Sequence, residues 1–376
     1  MKKIGVLGGS FNPVHREHVN MVLAAMNAFS IDEFIVMPTY ISPHKKNADL
    51  CAPEKRLEML KLAFKGYKRV TISDYEIKSE GISYTYLTLE HLKKEYGDAE
   101  LYFLVGTDML ADFPTWRNTE RILELSKLIV TPRENEDLQK ALTDFYDRFK
   151  FRPLVSPYVG KSVSSTKIRS RLILGLDCRD YIDGAVLDYI KDNSLFDGGI
   201  YRDCAEYVKK VLKKKRLVHT SGVMTLAVRY AKAKRISAED AFLAAMLHDV
   251  AKYLSYEDFD LKKPKDVPKN VLHQFLGAYI CEKVLRIDNQ DVVNAVRYHT
   301  TGRANMSDLE KIIFTADYLE ESRDFDGVDE LRAIAERDFD EGFVACVKQL
   351  FDHLEGEKDE EEIYYLSKQC KEYYCK

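Results

Sequence analysis

Short apolar runs alternate with longer amphipathic stretches through roughly the first half of the chain. Residues 4–7, 34–37, 70–72, 101–105 and 128–131 read as buried strands, while 54–64 and 84–96 repeat apolar positions at helical spacing. Strand–helix alternation predicts parallel βαβ units, hence an open α/β sheet with its ligands at the carboxyl ends of the strands. The Asp197-Gly198-Gly199 step breaks the preceding helix, and beyond it the strand pattern stops. Helical periodicity takes over, as in 238–247 and 309–320, so the second half is predicted to be all-α. The expected division is 1–197, then 200–354, then an acidic tail over 355–376 read as a solvated helix or frayed segment.

Composition narrows the class without adding chemistry. The 376 residues suffice for two or three domains, and 45% hydrophobic with 31% charged residues describes a soluble globular chain. A net charge of −4 gives no global pull toward nucleic acid or membrane, and the basic run Lys213-Lys214-Lys215-Arg216 reads as a solvated helix end. The seven cysteines are scattered and form no C-x-x-C, which suits reduced thiols better than a disulfide frame or zinc knot. No apolar run is long enough for a bilayer and no signal-peptide core is evident, so a cytoplasmic location is expected. A homo-oligomer is left open.

The first concentration of chemistry lies in Ile4-Gly5-Val6-Leu7-Gly8-Gly9-Ser10-Phe11-Asn12-Pro13-Val14-His15-Arg16-Glu17-His18. Gly8 and Gly9 let the backbone approach a ligand, Asn12 is a candidate N-cap and Pro13 suits the first helical position. On that helix His15 and His18 would share a face near its positive end, an anion site with two imidazoles able to donate to phosphoryl oxygens. His44 and Lys45 follow the second strand, Thr85 opens a helix, and Gly106 and Asp108 close a strand where a ribose hydroxyl could be held. Trp116 is the single tryptophan; Ser165, Thr166 and Arg169 form a second phosphate cradle.

In order and spacing, Gly9-x-Phe11-x-Pro13-x-His15-x-x-His18, Pro43-His44-Lys45, Ser83-Tyr84-Thr85-x-x-Thr88, Gly106-x-Asp108, Trp116 and Ser164-Ser165-Thr166-x-Ile168-Arg169 resemble the bacterial nicotinate-mononucleotide adenylyltransferases over about 1–196. The resemblance implies a Rossmann-like nucleotidyltransferase domain. Its reaction would be adenylyl transfer from ATP, with Mg²⁺ on the polyphosphate, to nicotinate mononucleotide, giving deamido-NAD and pyrophosphate. It further implies that His15 and His18 face the α- and β-phosphates, with His18 the main catalytic group. Gly8, Gly9, Ser10 and Phe11 would form the ATP loop; Lys45 and Arg169 would clamp phosphates, and Ser165 and Thr166 would bind them. Gly106 and Asp108 would hold a ribose, Trp116 would stack on the pyridine, and Thr85 would contact its carboxylate. The family has glycine where this chain has Glu17, and Glu17→Gly is expected to leave activity the same or raise it.

In the helical half, His219, His248, Asp249, His273, His299 and Asp317 are metal-ligand types, and an apolar helix ending in His248-Asp249 needs a partner for its carboxylate. Imidazoles and carboxylates without thiols suit Fe, Mn or Zn. The pattern resembles the HD phosphohydrolases. More narrowly, Leu247-His248-Asp249-Val250-Ala251-Lys252, Gly277-Ala278-Tyr279, His299-Thr300-Thr301-Gly302 and Ala316-Asp317-Tyr318-Leu319-Glu320 through Arg323 are similar to the HD-type hydrolases of diadenosine tetraphosphate, over about 205–340. This implies an all-α HD domain with one or two ions, cleaving diadenosine tetraphosphate symmetrically to ADP. His219, His248, Asp249 and Asp317 would bind the metal, and His273 and His299 would complete a second site. Lys252, Thr300, Gly302 and Arg323 would touch nucleotide or phosphate. The alternative is that only one half is catalytic, the HD half then being a nucleotide-binding regulatory module or acting on another nucleotide.

Overall fold

In the computed structural model, which describes residues 1–41, 50–134, 137–357 and 363–375, six parallel strands form one sheet. They are β1 (Lys3–Gly9), β2 (Glu33–Pro38), β3 (Val70–Ile72), β4 (Glu100–Gly106), β5 (Ser126–Thr131) and β6 (Leu154–Val155), in the order β3-β2-β1-β4-β5-β6. Five of them are the apolar runs of the sequence. Two residues are too few to show a period, so β6 is not legible there. Helices cover both faces of such a sheet, which is why its central strands read as unbroken apolar runs. In register, Val6 lies between Ile35 of β2 and Phe103 of β4. The chain builds outward from β1 to β3, then returns to place β4 on the other side of β1. A crevice therefore opens at the carboxyl ends of β1 and β4.

The helix after β1 starts later than Asn12 and Pro13 suggest. It runs Arg16–Ala28 with His15 as its extended N-cap (φ −140°). The Asn12–Pro13 peptide is cis, and the Asn12 side chain accepts the Cys51 N–H at 3.0 Å instead of capping a helix. The helices Pro53–Ala63 and Thr85–Tyr96 fall where periodicity places them.

The chain divides into two compact units, residues 1–168 with 178–196, and residues 169–177 with 197–376. Ile4, Val6, Ile35, Leu89, Phe103 and Phe113 belong to the core of the first. The second is built from helices including Lys214–Ala233, Ala238–Leu247, Leu272–Tyr279, Gln290–Tyr298, Asp308–Leu319 and Phe339–Glu357. Ser237, Asn289 and Ser307 cap three of these, each accepting a backbone N–H of the first turn. Fully buried Ala241, Ala244 and Ala245 let the 238–247 helix pack closely among its neighbours. The end of the chain is not wholly a solvated tail: helix Tyr365–Tyr374 buries Leu366, Ser367 and Cys370, and the Tyr374 hydroxyl accepts the Met306 N–H at 2.7 Å. No helix among the described residues is long and apolar enough to cross a membrane.

Candidate active sites

The glycine loop after β1 is held from behind by a buried cation. Arg56, fully buried, donates to the carbonyls of Cys51 (2.9 Å), Ser10 (2.9 Å) and Tyr40 (3.3 Å). One guanidinium thus ties the phosphate loop, the end of β2 and the entry to the 53–63 helix together. Phe11 takes a left-handed conformation (φ 46°), strain that a buried, over-determined loop can hold.

The two histidines of this loop differ in kind. His15 is buried, and burial followed by the charge of Arg133 pulls it down to about 3, so it is neutral. His18 stacks on it at 3.7 Å and meets Phe11 edge-on. The His15 backbone N–H donates to His18 Nδ1 at 3.2 Å. An accepting Nδ1 leaves the His18 proton on Nε2, which makes Nε2 a donor.

Among the remaining candidates Ser165 is bonded directly to the same loop. The Ser165 hydroxyl donates to Pro13 O at 2.9 Å, so this side chain joins the second cradle to the first and is not simply a phosphate donor. Thr166 follows in the first turn of helix Ser165–Ile173, and Arg169, further along it, groups with the second unit. A Cβ at Gly106 would lie 2.6 Å from Asp108 Oδ1, so only glycine lets this carboxylate fold over the strand end. Asp108 Oδ2 accepts from Arg133 at 2.9 Å. Trp116 is half-buried against Phe113 (5.2 Å) and Phe103 (6.0 Å), and Thr85 is the first residue of its helix. His44 and Lys45 lie outside the described residues. Glu17 points neither into the crevice nor to solvent. It is buried, and its carboxylate accepts from Tyr158, Lys161 and Asn20.

In the helical unit all six metal-ligand candidates converge as two triads, His219–His248–Asp317 and Asp249–His273–His299. Asp249 joins them. Its Oδ1 lies 3.3 Å from His273 Nε2 and 3.6 Å from His299 Nε2, while Oδ2 lies 3.5 Å from His248 Nε2 and 3.9 Å from His219 Nε2.

The orientation of the imidazoles shows what belongs between them. His248 Nδ1 lies 2.6 Å from Ala245 O and His299 Nδ1 lies 2.8 Å from Val296 O, so both Nδ1 protons go to backbone carbonyls. His219 Nδ1 faces the buried Glu320 carboxylate at 2.9 Å. Their Nε2 lone pairs therefore turn inward, with His219 and His248 Nε2 only 3.2 Å apart and His273 and His299 likewise 3.2 Å apart. Facing lone pairs at His219 and His248 suit a cation between them, while at the second pair the Lys252 ammonium already stands 3.1 Å from His273 Nε2. Asp249 Oδ1, buried and without a formed hydrogen bond, faces the same cluster, with the Lys252 ammonium 3.3 Å away. The donor set thus fits a metal, with outer partners already fixing the ligands.

Protonation agrees. Burial holds His248 low and His273 at about 4, keeping both neutral. Burial pushes Asp249 and Asp317 upward, but the histidines around each outweigh it and hold both well below the carboxylate range. For His219 burial pulls down, and Asp317 and Glu320 prevail to raise it.

Lys252 Nζ sits 3.1 Å from His273 Nε2, and the Thr300 hydroxyl lies 3.2 Å from His273 and 3.0 Å from His299. Arg323 holds Asp317 through both its carboxylate and its carbonyl. Gly302, the candidate nucleotide contact, is buried in a left-handed turn (φ 62°), and a Cβ there would meet Cys370 Sγ at 2.5 Å. Packing explains that glycine.

Arg56, Arg133 and Gln274 carry no role in the sequence reading, Glu320 enters it only as part of the Asp317 motif, and Arg216, taken there for part of a solvated helix end, instead reaches the buried Asp249. Arg216 Nη1 reaches Asp249 Oδ2 at 2.7 Å, and Gln274 Oε1 accepts the N–H groups of Thr300 and Thr301. Arg216 and Glu320 stand three residues from His219 and Asp317, on the same helical faces, so a signal for them was present. The others act through tertiary contacts that no local spacing reveals.

Fold and sites define the class: an α/β nucleotidyltransferase domain followed by a helical metal-site domain. Residues 6–171 match the cytidylyltransferase-like family and 216–322 match the HD domain. A Clostridium perfringens protein named "Probable nicotinate-nucleotide adenylyltransferase" is 35% identical over 199 residues, 52% of this chain and 98% of that one. The chain belongs to the nicotinate-nucleotide adenylyltransferase family and carries an HD domain in addition. A Mycoplasma genitalium protein named "Probable nicotinate-nucleotide adenylyltransferase/Ap4A hydrolase" is 28% identical over 328 residues, covering 86% of this chain and 88% of that protein. A Clostridium acetobutylicum crystal structure, described as a predicted HD superfamily hydrolase involved in NAD metabolism, is 33% identical over 46% of this chain and 96% of its own, with a TM-score of 0.42.

Proposed function

We propose that the chain is a bifunctional enzyme. The α/β unit transfers the adenylyl group of ATP, bound with Mg²⁺, to nicotinate mononucleotide, and the HD unit hydrolyses diadenosine tetraphosphate symmetrically to two molecules of ADP. The similarity to the Mycoplasma genitalium protein along 86% of the chain supports the pairing of activities. The two triads joined by Asp249 carry the hydrolytic half.

In the first reaction the mononucleotide phosphate attacks the α-phosphorus in line, the bond to the β-phosphate oxygen breaks, and pyrophosphate leaves. No covalent intermediate with the protein is needed, so the site works by positioning and by stabilising charge on the transferring phosphoryl group. His18 Nε2–H donates to that group. His15, neutral and buried, supports the His18 ring from below. Lys45, Thr166 and Arg169 add phosphate contacts, the Gly8-Gly9-Ser10-Phe11 loop admits the triphosphate, and Asp108 accepts from a ribose hydroxyl. Trp116 and Thr85 receive the pyridine and its carboxylate.

In the second reaction His219, His248, Asp249 and Asp317, with His273 and His299, hold one or two ions of the Fe, Mn or Zn class. When bound, such ions activate water and neutralise phosphate charge. Asp249 spans both triads and fixes their spacing, while Arg323 and Glu320 keep Asp317 and His219 in place. Lys252 and Thr300, at the rim of the second triad, contact the polyphosphate.

Product analysis decides the proposal. The protein is incubated with ATP and nicotinate mononucleotide or its amide, and separately with diadenosine tetraphosphate across Fe²⁺, Mn²⁺ and Zn²⁺. Deamido-NAD and ADP are the expected products. His248→Ala and Asp249→Ala should lose metal and hydrolysis while keeping adenylyl transfer. Full hydrolysis in both variants, or nucleotide binding without turnover under every metal, would refute the hydrolytic half.

A further inference from the structure

Glu17 occupies the position of a glycine in the family this chain resembles, yet its carboxylate is buried and fully engaged. Its Oε2 accepts from the Tyr158 hydroxyl at 2.8 Å and from the Lys161 N–H at 2.9 Å, and its Oε1 accepts from Asn20 Nδ2 at 3.2 Å. Asn20 also donates to the Tyr158 oxygen at 3.2 Å, which closes the group. The loop fits around the acid: a Cβ at Gly160 would stand 3.3 Å from Glu17 Oε2 and 3.6 Å from Pro132 O.

What this carboxylate fastens is the entry to the second phosphate cradle. Gly160 donates to Pro132 O at 2.8 Å and accepts from the Glu134 N–H at 2.9 Å, beside Arg133, the partner of Asp108. Past Lys161 the chain turns through a Val163 N–H to Lys161 O bond of 2.8 Å, and Ser165 then donates to Pro13 O. The segment 158–165 is therefore tied at both ends to the segment bearing His15 and His18. Glu17 makes one tie and Ser165 the other.

We infer that Glu17 is a positioning residue for ATP: its carboxylate sets the 158–165 segment, and with it Thr166, at a fixed distance from His18. This rests on the adenylyl-transfer reading of the site and reverses the expectation that Glu17→Gly would be harmless. A phosphate bound by groups from two segments loses affinity when one of them drifts.

The test compares the full chain with Glu17→Ala, Glu17→Gln and Tyr158→Phe. Glu17→Ala keeps the helix and avoids the added freedom of glycine. Mg·ATP binding is measured by calorimetry, KM for ATP and kcat by deamido-NAD formation, and the Lys161 amide by hydrogen exchange. Loss of hydrogen bonds to a charged acceptor predicts that Glu17→Ala weakens ATP binding about tenfold, more in KM than in kcat, with faster Lys161 exchange. Glu17→Gln, which can still accept from Tyr158 and Lys161, should restore most of the affinity, and Tyr158→Phe should fall between. Unchanged ATP binding in Glu17→Ala would overturn the inference even if Lys161 exchange accelerates, because the tie would then be structural only. A Gln variant as weak as Ala would also overturn it. Wild-type protein that binds ATP but forms no deamido-NAD would refute the catalytic reading alone, with the binding comparison still deciding the role of Glu17. Wild-type protein that does not bind ATP would refute both.

Discussion

A buried neutral imidazole leaves a mark on the pH dependence of folding, and His15 provides one. Free histidine titrates near 6.5, whereas burial and the charge of Arg133 hold His15 at about 3 in the folded chain. Because the folded value is depressed, the unfolded chain binds this proton first as pH falls. Stability present above 6.5 is lost progressively below it, down to the folded value. Between pH 7 and pH 5 the linkage amounts to about 2 kcal/mol. The size is insensitive to where the folded value lies, because at pH 5 any value of about 4 or less leaves the folded site unprotonated. Trp116 is the only tryptophan and belongs to the first unit, so its fluorescence reports the unfolding of that unit by urea. With a typical slope for urea, the midpoint should fall by about 1 M between the two pH values. His15→Asn, which carries no proton in this range, should lack that part of the fall. Parallel pH dependence in the wild type and His15→Asn would refute the reasoning, since the other titrating groups are common to both.

Two further outcomes follow from single contacts. Arg56→Met leaves the carbonyls of Ser10, Cys51 and Tyr40 buried without their donor, at a cost on the order of 3 kcal/mol; an unchanged urea midpoint by Trp116 fluorescence would refute the cost. Glu320→Ala frees the His219 ring to turn and should lower affinity for Mn²⁺ by about 10–100-fold in a metal titration. Adenylyl transfer should be unaffected, and unaltered Mn²⁺ affinity would show that His219 is oriented by something else.

How much of this was legible in the sequence depended on the range of the interaction. Strands β1, β2, β4 and β5 announced themselves because burial on both faces leaves apolar runs, the edge strand β3 only through Val70 and Ile72 on either side of an exposed threonine, and the helices at 85–96 and 238–247 because one stripe of each is buried. The six metal-ligand candidates were legible as residue types, but their grouping into two triads sharing Asp249 was not, since five separate helical segments deliver them. Local rules failed where long-range hydrogen bonds overrode them. Asn12 has the chemistry of an N-cap and spends it on Cys51. Ser165 has the chemistry of a phosphate donor and gives its proton to Pro13. Glu17 stood out only as a departure from a glycine, because Tyr158 and Lys161, which hold its carboxylate, lie more than a hundred residues away.

The two candidate sites use histidine with opposite polarity, and the backbone decides which. At the first site a backbone N–H donates to His18 Nδ1, which fixes the proton on Nε2 and presents a donor. At the second, backbone carbonyls take the Nδ1 protons of His248 and His299, which presents lone pairs. A donor suits phosphoryl oxygen and a lone pair suits a metal ion, so the same side chain is assigned to transfer in one unit and to ligation in the other. The assignment needs no difference in the histidines themselves. It needs only that His18 stand in the first turn of a helix, where N–H groups are unsatisfied, and that His248 and His299 stand just past a helix end, where carbonyls are.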